Sequence, residues 1–252
     1  MHRQEAYLVV FKRGQFKING QYSDDFNAVM TERPERISPG RVIELRPRPG
    51  SDSVVIDYQY YKNVVWNIKC YAKASSLDQV AHLEDRIRAW LDMSNYSDFI
   101  YQFDEHYVYQ AVVVDDVKFT SNRLNGPMVR FEFAISLRPF KMSRTGLKWL
   151  TNEPALINIE KYPSEPKIHI KGSGDISFWI NEKRFDLKNV GNEIIIDSQL
   201  EESYRVVDGV MEIQDHKTTF KDFPVLPIGR SNFRWQGNVQ QFNILPRWRT
   251  KI

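Results

Sequence analysis

The sequence predicts a mainly β protein in two parts: an N-terminal β-sandwich with one α-helix and an extended arm, then a second β-sandwich. Three observations carry this. Apolar residues recur with period two in short runs bounded by Gly, Asn, Asp and Pro. One segment alone, Ser76 to Met93, has helical period. A proline-rich break between Arg138 and Pro166 separates two β-rich halves, which we place at residues 1–145 and 146–252, with the arm at about 31–50. At 252 residues, 42% hydrophobic and 27% charged, the chain is long enough for two cores without disulfide staples.

Taken in chain order, Met1 to Val10 holds a short apolar patch beginning at Leu8 and no small-residue cleavage site. No run approaches the ~18 apolar residues of a membrane span, so neither a signal peptide nor membrane insertion is expected. Thr31 to Gly50 carries four prolines, two glycines, five arginines and three glutamates and reads as an extended arm or loop without regular structure. Segments of that length are commonly docked on a partner, and proline lowers the entropy lost on ordering. Val64, Trp66, Ile68, Cys70 and Ala72 alternate with polar positions, which makes Cys70 a small buried hydrophobe. In the helix, Leu77, Val80, Leu83, Ile87, Trp90 and Leu91 form the apolar face, and Ser76 with Gln79 forms the capping box. Met128 to Leu137 is the clearest strand, alternating through Val129, Phe131, Phe133 and Ile135.

The second half is read as strands at Lys167–Ile170, Ile176–Ile180, Ile194–Asp197, Tyr204–Val207, Val210–Ile213, Asn232–Trp235 and Gln240–Leu245, with no helix. Asp208-Gly209 is a type I′ hairpin signal, and Gly172-Ser173-Gly174-Asp175 reads as another tight turn.

Catalytic chemistry finds no foothold. The histidines His2, His82, His106, His169 and His216 never stand at ligand spacing, and no nucleophile-elbow, zincin or phosphate-loop motif occurs. The best local cation candidate, Asp104-Glu105-His106, reads more simply as a solvated turn. The carboxylate pairs Asp24-Asp25, Asp115-Asp116 and Glu201-Glu202 are adjacent in sequence and point apart. We therefore nominate no catalytic, cofactor-binding or metal-binding residue. A net charge of +3 from 35 basic and 32 acidic residues is not that of a nucleic-acid binder. The arm arginines Arg33, Arg36, Arg41, Arg46 and Arg48 are interleaved with glutamates and lack stacking aromatics, so we assign them to a subunit or partner interface. Trp179, Arg184 and Trp235, with Arg234, Trp248 and Arg247 also in the second half, form the alternative, a glycan-facing surface.

Five stretches in order resemble the distal tail protein (Dit) family of long-tailed phages with non-contractile tails. They are Phe16-Lys17-Ile18-Asn19-Gly20; Ala89-Trp90-Leu91 closing the helix; Arg138-Pro139-Phe140-Lys141; Pro166 through Ile176 around the G-S-G-D; and Pro227 through Asn232 leading to Trp235 and Gly237. The resemblance implies a first domain of belt type that closes into a ring of six copies, the arm falling at Thr31 to Gly50. It implies a second, galectin-like domain decorating the outside. The sugar site of lectin galectins does not carry over: His169 has no asparagine and arginine on its strand, and Trp235 leads to no glutamate.

The expectation is therefore a virion protein at the distal end of the tail, made in the host cytoplasm, and not an enzyme. As a homohexamer it would join the tail tube protein to tail-associated or tail-tip proteins, with peripheral baseplate proteins as further partners. It would leave a channel for DNA, binding no nucleic acid sequence-specifically and holding no cofactor. The alternative is a carbohydrate-binding adhesion protein acting through the C-terminal sandwich. A hydrolase whose site only the fold assembles is the remotest reading.

Overall fold

A computed structural model describes residues 11–121 and 126–252. The leader reading of Met1 to Val10 and the position of His2 lie outside the described residues. The chain divides into two compact units, one comprising the residues up to Lys141 together with Lys251–Ile252, the other Met142–Thr250.

The first unit runs β1 (Phe16–Ile18), β2 (Gln21–Tyr22), β3 (Ala28–Met30), β4 (Arg41–Arg48), β5 (Ser51–Tyr61), β6 (Val64–Lys73), α1 (Val80–Leu91), β7 (Ser97–Tyr101), β8 (Tyr107–Val113), β9 (Lys118–Ser121) and β10 (Met128–Leu137). Its strands hydrogen-bond in the order β2-β1-β7-β8-β10-β6-β3, with β9 also on β10. The period-two reading of β6 and β10 holds. Cys70 faces Phe131, Ile68 faces Phe133 and Trp66 faces Ile135, all buried, because opposed residues of an antiparallel pair share a face. Cys70 is a free thiol, and burial pushes its pKa well up, as suits a small core residue.

Helix α1 buries Leu83, Ile87, Trp90 and Leu91, each contributing roughly 2 kcal/mol by removing apolar surface from water. Trp90 is its anchor. The indole stacks on Phe26 at 4.3 Å and on Phe16 at 5.4 Å, and its Nε1–H donates to the Ile18 carbonyl at 2.9 Å. The expected capping box is absent. A 3-10 turn, Leu77–Gln79, precedes the helix, the Ser76 hydroxyl makes no cap bond, and it turns instead to the Asp78 carboxylate, whose pKa it lowers.

The arm also departs from expectation. It is neither irregular nor finished at Gly50, because β4 and β5 pair as a hairpin reaching Tyr61 and turning at Pro49-Gly50, with Gly50 at φ +72°. Pro47 lacks an N–H, and the register shifts between Arg46 and Arg48, which lets a strand contain it. Only residues 31–40 follow the irregular course that the prolines suggested.

After β11 (Phe140–Ser143), which spans the division, the second unit contains β12 (Leu150–Thr151), β13 (Ala155–Asn158), β14 (Lys167–Ile180), β15 (Lys183–Val190), β16 (Glu193–Asp197), β17 (Glu202–Val207), β18 (Val210–Ile213) and β19 (Gly229–Leu245). Their order is β12-β19-β14-β16-β17-β18, with β13 also on β19 and β15 on β14. Helical residues described in this unit are confined to 3-10 turns. The Asp208-Gly209 hairpin is as expected, with both residues at positive φ (51° and 81°).

Gly172 to Asp175 is not a turn. It lies inside the continuous strand β14, and Asn232–Trp235 and Gln240–Leu245 are likewise one strand, β19. Where β14 crosses β19 the register shifts on either side of Gly172-Ser173. A Cβ on Gly172 would overlap the Asn238 carbonyl, and one on Gly237, at φ +108°, would press on the Asp175 carbonyl. These glycines permit close backbone approach at a bulge, which a sequence-local reading takes for a reversal.

Candidate interaction surface

The hairpin β4–β5 is a two-stranded sheet with no further strand paired to it among the described residues. Such a ribbon is marginal in water unless something covers it. Its register puts Leu45 opposite Val55 on one face and Arg46 opposite Val54 on the other. Apolar side chains are exposed on both: Leu45 is 61% and Val55 59% accessible, and Ile43, Tyr58 and Tyr60 are about half so. Six large apolar side chains exposed on one two-stranded ribbon make it a candidate contact region, and the hairpin that ends the second unit's strand order exposes another group through Val206, Val207, Val210, Met211 and Ile213.

The structure places the arm arginines unequally. Arg41 pairs with Asp57 across the hairpin at 2.6 Å, and its guanidinium holds the Asp57 carboxyl below the usual range. Arg46 pairs with Glu44 at 3.3 Å, and Glu44 also accepts from the Tyr58 hydroxyl at 2.8 Å. Arg36 turns back onto the sheet, reaching Asp104 at 3.4 Å and the Tyr109 hydroxyl at 3.3 Å, with its guanidinium over the Trp66 ring. Arg33 and Arg48 are exposed.

Asp104 is the polar centre at the root of the arm. It accepts from Arg36, Lys141 and, at 2.5 Å, the Tyr109 hydroxyl. Burial, then the hydrogen bond to Asp104, raises the Tyr109 pKa and keeps the phenol protonated. The Asp104-Glu105-His106 stretch is thus only half as expected. Gln102–Asp104 does form a short turn before β8, and His106 is exposed, but Asp104 is mostly buried because two cations draw it inward. Among the described residues no three His, Cys, Asp and Glu side chains converge as a metal site.

The other candidate surface is only partly assembled. Trp179 lies between Arg184 on β15 and Arg234 on β19, whose guanidinium carbons stand 5.3 and 4.5 Å from the ring. Trp235 is not with them. It is opposed to Phe178 and stacks on Phe242 at 4.8 Å against the core, since adjacent residues of a strand face opposite ways. Arg247 and Trp248 are drawn inward too, Arg247 to Asp197 and Trp248 into the core. His169 gains neighbours that its own strand lacks: Glu193 at 2.8 Å and Asn243 directly opposite on β19.

Sequence reasoning missed β5 as the exposed half of the arm, with Val54, Val55, Tyr58 and Tyr60. The signal was Pro49-Gly50 followed by a β-branched and aromatic run.

A β-rich unit with one α-helix among the described residues and a hairpin arm, followed by a second β unit of long strands, is a fold that solved phage tail hub and baseplate structures share. Within that class, the chain has the distal tail protein (Dit) fold. It is similar to the Dit protein of phage SPP1, described as a paradigm of the hub adsorption apparatus in phages infecting Gram-positive bacteria, at a TM-score of 0.68 and 9% identity, over 91% of this chain and 96% of that one. It is also similar to a chain of the phage P2 baseplate in its activated conformation with Ca, and to one with Sr, each at a TM-score of 0.54 and 9% identity, over 94% of this chain and 98% of the other. No family model and no curated protein matches the sequence.

Proposed function

We propose that the chain is the structural hub of a phage tail tip, located in the virion, whose copies join into a closed ring through the hairpin arm. The observation that carries this is the uncovered hairpin, apolar on both faces and tied at its root by Arg36 to Asp104. A projecting element received by a different surface on the next copy is a heterologous contact, and such contacts close into rings. A ring of six, joining the tail tube to tail-tip or baseplate proteins around a channel for DNA, is the form we assign. Arg33 and Arg48, exposed on and before β4, are the arginines of this interface; Arg36, Arg41 and Arg46 shape the arm that presents it.

Light scattering with negative-stain imaging of the purified protein tests the reading. Ring-shaped particles of about six chain masses are expected. A monomer at every concentration, also in the presence of tube and tip proteins, would sink it.

A second reading, carbohydrate adhesion through the C-terminal unit, is favoured by the Arg184–Trp179–Arg234 stack. Glycan-array binding abolished by Trp179→Ala and unaffected by Trp235→Phe would support it.

A further inference from the structure

We propose that the outer face of strands β15, β14, β19 and β13 binds an acidic polysaccharide, with Arg234 and Arg230 as the groups that hold its carboxylate or phosphate oxygens. The inference rests on the carbohydrate reading and names the class of glycan; it does not depend on ring closure.

Strand register decides which side chains share this face. Trp179 is opposed to Arg184 on β15 and to Arg234 on β19, and Ser177 to Asp186 and Gln236. Two residues at a time along β19, Asn232 and Arg230 follow on the same side, opposed to Ala155 and Ile157 of β13. The alternate residues Ser231 and Phe233 are buried, so the other side of β19 belongs to the core. These positions hold three arginines and one carboxylate, Asp186. That carboxylate is already engaged, accepting from the Ser177 hydroxyl at 2.5 Å and from Arg184 at 2.8 Å.

The arginines are prepared for an anion. Arg184 and Arg234 lie against the Trp179 ring, 5.3 and 4.5 Å from its centre, and this contact restrains them before any ligand arrives. Flanked in this way, Trp179 is half-buried and its ring is engaged by cations instead of being open to a neutral sugar. The Arg234 guanidinium has no hydrogen bond or ion pair among the described residues, and Arg230 spends only its Nε–H, on the Asn232 side-chain oxygen at 2.9 Å. Both are exposed, and their remaining N–H groups match the paired oxygens of a carboxylate or phosphate. Arg230 and Arg234 stand about 13 Å apart along β19, and Arg184 about 10 Å from Arg234 across two strand spacings, so the face suits a chain with repeated charges. Amides lie among these cations. Gln236 is exposed with no side-chain hydrogen bond among the described residues, and Asn232 keeps its amide N–H groups for a ligand. Such groups serve the hydroxyls of a sugar, whereas the centre of a protein contact is poor in charge and rich in aromatic surface.

Binding of the full chain to four immobilised polymers tests this. Two are acidic, polygalacturonate and phosphorylated dextran, and two are their neutral counterparts, methyl-esterified polygalacturonate and dextran. At least one acidic polymer should bind about tenfold more tightly than its counterpart, and the pair that does so tells carboxylate from phosphate. Arg234→Gln should weaken that binding about tenfold, and Arg230→Gln should weaken it in the same direction. Lys73→Gln, which removes an equal charge from an exposed position of the first unit, should leave it unchanged. Melting curves matching the unaltered protein confirm that each variant folds. Binding that Arg234→Gln does not weaken, or that Lys73→Gln weakens as much, would overturn the assignment. Neutral polymers bound as tightly as the acidic ones and lost on Trp179→Ala would overturn the acidic class and leave the carbohydrate reading standing. Silence of all four polymers would overturn the inference, and silence of the glycan array as well would overturn the carbohydrate reading with it.

Discussion

Asp197 shows how much one side chain can hold in this chain. It is 1% accessible, receives a bidentate guanidinium from Arg247 at 2.5 and 3.0 Å, and pairs with Lys167 at 2.8 Å. Burial alone would push its carboxyl pKa up, but the hydrogen bonds from Arg247 and Lys167 outweigh burial and leave it below the ordinary value. A depressed carboxylate pKa contributes stability that is present above the unfolded value of about 4 and is lost as pH falls through the folded value. The unaltered protein should therefore lose more melting temperature between pH 7 and pH 3 than Asp197→Asn does, as calorimetry can read. Asp197→Ala leaves two largely buried cations without a partner and should cost about 3–5 kcal/mol in denaturant unfolding. Gly237→Ala should destabilise the second unit by more than about 1 kcal/mol, since its φ and the nearby Asp175 carbonyl both resist a side chain.

At the level of elements, the arm and the β14–β19 pair carry the contrast between what was legible and what was not. Helix α1 and strands β6 and β10 were readable because each buries one face, and burial imprints a period on the sequence. The arm hairpin has no buried face, so it left no alternation; only its proline, glycine and arginine content showed. The long strands were split in the reading at Gly172–Asp175 and at Gln236–Val239, because glycine signals a turn and a bulge alike until the partner strand is known. Replacing residues 41–61 by a short Gly-Ser link should leave both units folded, with unchanged melting of each core, and shift the mass in light scattering from ring to monomer. Retained rings would remove the arm from the assembly. Arg36→Ala should have a smaller effect in the same measurement, weakening assembly at low concentration, because it frees the root of the arm from Asp104 without removing the docking strand.

For the whole molecule, the hub reading treats function as geometry. Nothing in it calls for a reacting group, and the features it uses are an uncovered ribbon, the exposed arginines beside it and the fold shared with a tail hub protein at 9% identity. Identity that low preserves the pattern of burial and loses the residues of any particular interface. That is why the partner-facing details here are argued from this chain's own side chains. Assembly to which the exposed arginines Arg33 and Arg48 contribute should weaken with salt, as screening shortens the reach of exposed charges to under about 10 Å. Ring mass measured at low and at high ionic strength reads this directly.

The sequence by itself determined the β character, the helix of the first unit and the burial of Cys70, because each follows from local periodicity or composition. The tertiary structure alone decided that the arm is a hairpin ending at Tyr61, that Trp179 meets Arg184 and Arg234 while Trp235 packs inward, and that Asp104 and Asp197 are buried ionic centres. All of these depend on which strands lie side by side and in what register. Pairing between residues far apart in the chain is set within each unit by the packing of its own core, and no single segment encodes it.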